Sequence, residues 1–186
     1  MNSVQIMMEE HQNILRMVKV IRKACFQIME KREMNQDDFH KMIDFIRTYA
    51  DTHHHGKEEK IMFKQMQDRL GRIGENLITH GMLVEHDLGR LHMQELEAAM
   101  ERVKAGDEES YLDVIANAIS YTHLIERHIK KEDELVYPFG EKNLGQEVMD
   151  QINAETAKFE EAAMAAGTQD KYMTVLTDLE RKYLEA

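Results

Sequence analysis

Residues His54–Phe63 read HHGKEEKIMF, and residues His128–Tyr137 read HIKKEDELVY. Aligned on their first histidines, the stretches match His54 with His128, Lys57 with Lys131, Glu58 with Glu132 and Glu59 with Asp133. An apolar triplet closes each, Ile61-Met62-Phe63 and Leu135-Val136-Tyr137. A second pair precedes them, Glu10-His11 and Glu85-His86. His11 stands 43 residues before His54, and His86 stands 42 before His128. The chain therefore carries one unit twice, a histidine followed by His-x-x-x-Glu, and such a period marks internal duplication.

Each unit sits on helical periodicity. Val4, Met7, Ile14, Val18, Ile21, Cys25 and Ile28 share one face of a first helix ending near Lys31. Asn35 is placed to cap a second helix from about Gln36 to Leu70, with Asp37 and Asp38 at its positive end. Gly71 and Gly74 punctuate the chain before a third helix, from about Glu75 to Lys104. A fourth runs from about Asp107 to Tyr137, where Pro138 is expected to stop it. Four long amphipathic helices on short turns predict an all-α fold, an up-down-up-down four-helix bundle over about residues 3–138. From about 145 to 186 two further helices are expected, separated at Gly167. With no flexible linker, the whole of 1–186 reads as one domain. This extension either caps the bundle or forms a dimer interface, so a homodimer is left open.

Composition removes other classes. A single cysteine, Cys25, leaves no intramolecular disulfide and no cysteine-based metal site. A net charge of −11 gives nucleic-acid binding little electrostatic support. No apolar stretch is long enough to cross a bilayer and the N-terminus lacks a signal peptide's apolar core, so no membrane role and a cytoplasmic location are expected.

The repeated polar residues lie on the stripes that face the core. His11 shares a face with Ile14, Leu15 and Val18, His54 with Ile43, Ile46, Ala50 and Ile61, and His86 with Leu83, Met93 and Met100. His128 lies with Val114, Tyr121, Leu124 and Leu135. Each glutamate lies one turn beyond its histidine. Two unpaired carboxylates in a bundle core cost several kcal/mol each, and no lysine or arginine repeats on the inner faces to pair with both. A pair of metal ions resolves the conflict. With the four imidazoles shared two and two, and Glu58 and Glu132 bridging, each ion receives four protein donors. Two octahedral positions remain, one for a bridging oxide or hydroxide and one for a small ligand. This donor set suits two iron ions, with manganese or zinc substitution, better than a closed structural zinc.

The remaining histidines carry less. His53 and His55 are expected at the rim or in solvent, about 100° to either side of His54, and His40, His80, His92 and His123 off the inner faces. Tyr121 is read as core packing, and Glu59 and Asp133 as neighbours that support the ligands or pair at the surface.

On these residues the chain resembles the hemerythrin-like, or HHE cation-binding, family. The segments are Glu10-His11, Ala50–Phe63, His80–Arg90 and Tyr121–Pro138. The resemblance implies a non-haem di-iron site held by His11, His54, Glu58, His86, His128 and Glu132. Two departures separate it from the oxygen carriers proper. Their additional histidine one turn before the third-helix ligand is Met82 here, and their aspartate five residues after the last histidine is Asp133, where Glu132 fits the HHE pattern better. The resemblance therefore implies a di-iron protein that binds or senses O2, peroxide or NO. Alternatives are a di-iron oxidoreductase (peroxidase, oxidase or NO-related, including iron-centre repair) and an iron-responsive regulatory module. Repair members usually carry an extra N-terminal cysteine-containing segment, whereas this sequence opens on the first helix. The redox partner is not legible.

Overall fold

The computed structural model describes residues 2–185. It is all-helical, with no strand among the described residues. Helix α1 spans Ser3–Lys31, α2 residues 36–69, α3 residues 71–104, α4 residues 111–144, α5 Gln146–Ala165 and α6 Thr168–Leu184. The first four form the bundle. Asn2 caps α1 and Asn35 caps α2, each side chain accepting a backbone N–H three residues on. Arg32, in the left-handed region at φ 52°, ends α1, and Gly167 at φ 70° separates α5 from α6. Helix α6 packs along α1 and α2, with the Tyr183 hydroxyl donating to the buried Asp38 at 2.8 Å and Lys182 closing on the same carboxylate. Helix α5 packs near the start of α1, where Asn153 Oδ1 accepts the Ser3 N–H.

Three bundle helices are not plain α-helices. Wider π-type turns occur at Ile46–His55 and Glu58–Met62 in α2, at Ile78–Met82 in α3 and at Glu132–Val136 in α4, all close to the repeated motif. They account for the departures from the expected faces and for the continuation of α4 past Pro138. Helix α3 begins at Gly71, four residues earlier than the periodicity indicates. Pro138 does not stop α4, which continues to Leu144. The π turn ends just before it, so the proline falls in the first turn of the next α segment, where an N–H is not required. Leu135, expected inward, is 64% exposed, because the turn shifts the inner face from Glu132 to Val136 and Tyr137.

The apolar interior has two parts. One, around Ile14, Val18, Ile21, Phe39, Met93, Met100 and Val114, fills the end of the bundle nearer the α1–α2 turn and extends to Tyr172, Leu176 and Leu179 of α6. The other, around Met7, Ile61, Phe63, Met66, Met82, Val136 and Ile152, fills the opposite end. A layer of buried histidines and glutamates separates them.

Candidate metal centre

Each bundle helix contributes to this layer: α1 gives His11, α2 His54 and Glu58, α3 His86, and α4 His128 and Glu132. All six are at most 1% exposed. The Nε2 atoms of His11 and His128 lie 3.3 and 3.1 Å from opposite oxygens of Glu132. Those of His54 and His86 lie 3.7 and 3.6 Å from Glu58 Oε2, and the His86 and His128 Nε2 atoms are 3.1 Å apart. Ligand atoms close within 4.8 Å of one another into two groups that could each hold a metal ion. One comprises His11, His54, Glu58 and Glu132, the other His55, Glu58, His86 and His128. Glu58 belongs to both, and Glu132 reaches across through its Oε1.

The other face of each imidazole is fixed. His11 Nδ1 donates to Asp133 at 2.7 Å, His54 Nδ1 to Glu10 at 2.8 Å, His86 Nδ1 to Glu59 at 2.7 Å and His128 Nδ1 to Glu85 at 3.0 Å. A carboxylate only accepts, so every Nδ1 carries the proton and every Nε2 faces the centre with its lone pair free once the ring is neutral. The pattern obeys the duplication: Glu10 matches Glu85, Glu59 matches Asp133, and Lys57 and Lys131 pair with Glu10 and Glu85. Lys57 does lie inside, but it pairs with neither Glu58 nor Glu132. Its ammonium is fully buried between Glu10 and Glu160, filling the space among Glu10, His53 and Glu160.

Charge and burial in the centre are unbalanced by the protein alone. Glu58 Oε2, both Glu132 oxygens and His54 Nε2 are buried without a hydrogen-bond partner. Burial, then the neighbouring Glu132, pushes the Glu58 carboxyl up to about 8. Against the opposing effect of burial, the hydrogen bond that His11 donates to Asp133 and the adjacent Glu132 carboxylate raise its imidazole to about 9. Burial is likewise outweighed at His128, raised to about 10 first by the charge of Glu132. A site that draws protons onto His11, His86 and His128, while burial first holds His54 down to about 4, is a well of negative potential lined with N and O donors. Those residues fit a pair of cations such as iron, and no thiolate is among them.

Several residues take places that periodicity does not give. His53 and His55 are buried and not at a rim. The wide turn of Ile46–His55 keeps successive side chains closer together on the inner face than an α-helix would. His53 Nε2 lies on Glu10, and His55 enters the second ligand group. Tyr137, unassigned from sequence, donates its hydroxyl to Glu58 Oε1 at 2.5 Å and stacks on His11. Its signal was a tyrosine where the repeat has Phe63, five residues after Glu132 in what proves to be a π turn. Tyr121 is buried, as read, with its hydroxyl unpartnered. It lines a cavity of about 410 Å³ that opens beside His55, His86, Glu85 and Arg90. His123 lies outside on Arg22, and His40 and His80 are exposed.

Neither the curated proteins nor the solved structures gave a significant match to the chain. The family model described as the hemerythrin HHE cation binding domain matches residues 2–139, covering α1 to α3, most of α4 and every residue of the centre. Fold, duplication and buried His/Glu layer thus converge with that match, and the chain belongs to the hemerythrin HHE cation-binding family.

Proposed function

We propose that His11, His54, Glu58, His86, His128 and Glu132 hold two iron ions, and that the chain binds or senses a small oxidant, O2, peroxide or NO, at that pair. The observation that carries this reading is the set of unpartnered oxygens on Glu58 and Glu132, fully buried and facing Nε2 atoms from all four bundle helices. Bound iron would supply electrons and an open coordination position; manganese or zinc would occupy the same donors. The protein does the rest. Glu58 and Glu132 would supply the negative charge that neutralises the cations, and Asp133, Glu10, Glu59 and Glu85 hold each imidazole in the Nδ1–H tautomer. The Tyr137 hydroxyl donates to Glu58 Oε1, leaving Oε2 as the free acceptor. Ile61, Met62, Phe63 and Met82 exclude water from the far side.

Residues 1–186 act as one unit in this account, with α5 and α6 fixing α1 and α2. No described helix is long and apolar enough to cross a membrane, and a cytoplasmic setting suits a chain whose only cysteine is a free thiol. A second reading, a di-iron oxidoreductase, is favoured by the cavity beside His86, which exceeds what a diatomic molecule needs. Anaerobic loading with Fe(II), then oxygen, separates them by absorption spectroscopy and peroxide assay. A spectral change that reverses on deoxygenation, without steady-state peroxide consumption, supports binding, and sustained consumption supports the enzyme. Failure of the chain to take up iron overturns both.

A further inference from the structure

We infer that His55 is a seventh metal ligand, completing the half of the centre formed by His86 and His128. The inference rests on the dimetal reading above and concerns a residue that the duplicated motif does not contain. The position of the ring is the first argument. His55 is buried and stacks parallel on His86, with centroids 3.7 Å apart and planes 7° from parallel, and meets His128 edge-on at 5.7 Å. One of its ring nitrogens falls in the same group of ligand atoms as Glu58, His86 and His128.

Its hydrogen bonding is the second. His55 Nδ1 donates to Asp51 at 3.2 Å, and Arg90 fixes that carboxylate at 2.7 Å. His55 Nε2 is buried with no partner. His54 has the same arrangement, a carboxylate on Nδ1 and an unpartnered Nε2, and the other three imidazoles of the repeat likewise hold a carboxylate on Nδ1 with Nε2 turned to the centre. His53, the other flank of His54, lacks it, because its Nε2 lies on Glu10 and within 3.1 Å of the Lys57 ammonium. The duplication is broken here, since the repeat places Ile129 where His55 stands. The two cations therefore have unequal shells. His11, His54, Glu58 and Glu132 serve one, and His55, His86 and His128 with the same two carboxylates serve the other.

Cobalt(II) titration of the cation-free wild-type chain and of His55→Gln, read by visible absorption and chelator competition, tests the assignment. Two cobalt ions should bind the wild type. In His55→Gln one of them should weaken at least about tenfold, with a change in its ligand-field band, while the other keeps its affinity. Equal affinities and spectra for both ions in the two proteins overturn the assignment and leave the dimetal reading intact. A wild-type chain that binds no cobalt overturns both. A measurement on the unmodified protein covers a variant that does not fold. In the zinc-loaded chain, 15N spectra should count five metal-bound imidazole nitrogens, and a count of four overturns the role of His55.

Discussion

Glu10 and Glu85 occupy matching positions in the duplicated unit, yet their surroundings predict different consequences when each is replaced by glutamine. Glu10 accepts from His53 Nε2 and His54 Nδ1 at 2.8 Å each and from Lys57, whose side chain is 0% exposed. Glu85 accepts from His128 Nδ1 at 3.0 Å and from Lys131, which is 44% exposed. Glu10→Gln leaves a fully buried ammonium with Glu160 as its remaining carboxylate, and breaking a buried pair in this way costs about 3–5 kcal/mol. Glu85→Gln releases a lysine that water can solvate, and costs about 1 kcal/mol or less. In urea unfolding of the cation-free chain, with slopes of about 1–3 kcal/mol/M, the first variant should lose at least about 1 M in midpoint. The second should shift far less. Cation affinity should respond alike, because each variant removes the carboxylate that orients one imidazole, and such losses run about 10–100-fold. Equal stability losses would refute the role given to burial, and unchanged affinity in both variants would refute the orienting role.

Other outcomes follow from single contacts. Glu58→Ala or Glu132→Ala should abolish two-metal occupancy, and elemental analysis showing full iron in either would refute bridging. Tyr137→Phe removes the hydroxyl that donates to the buried Glu58 and should cost the cation-free chain about 1–3 kcal/mol in denaturant unfolding; an unchanged midpoint would contradict the contact. Gly74→Ala sets a Cβ 2.3 Å from the Met66 carbonyl oxygen and should destabilise by about 1–3 kcal/mol, more than Gly140→Ala, whose Cβ meets only flexible methionine ends; thermal melts rank the two. Burial pushes the Cys25 thiol up to about 12, so at pH 8 it should resist a disulfide reagent until the chain is unfolded. Rapid labelling of the native protein would contradict that placement.

The bundle and the meeting of six side chains were legible because duplication makes two weak motifs confirm one another, and because buried carboxylates demand a partner. What escaped did so for one main physical reason. A helical wheel assumes a constant angle per residue, and the π turns at Ile46–His55, Glu58–Met62 and Glu132–Val136 break that assumption at the motif itself. A constant angle therefore puts Leu135 inside when it is outside, gives Tyr137 no role and sends His55 to the rim. The burial of Lys57 escaped for another reason, since its partner Glu160 lies on α5, outside the repeat.

The central claim is that four helices hold two cations between Glu58 and Glu132. Iron per chain, measured after anaerobic loading and desalting of the wild type and of a Glu58→Ala/Glu132→Ala double variant, tests it most directly. The account predicts two irons per wild-type chain, with the pair lost in the double variant. Equal iron in the two proteins, or none in the wild type, would contradict it.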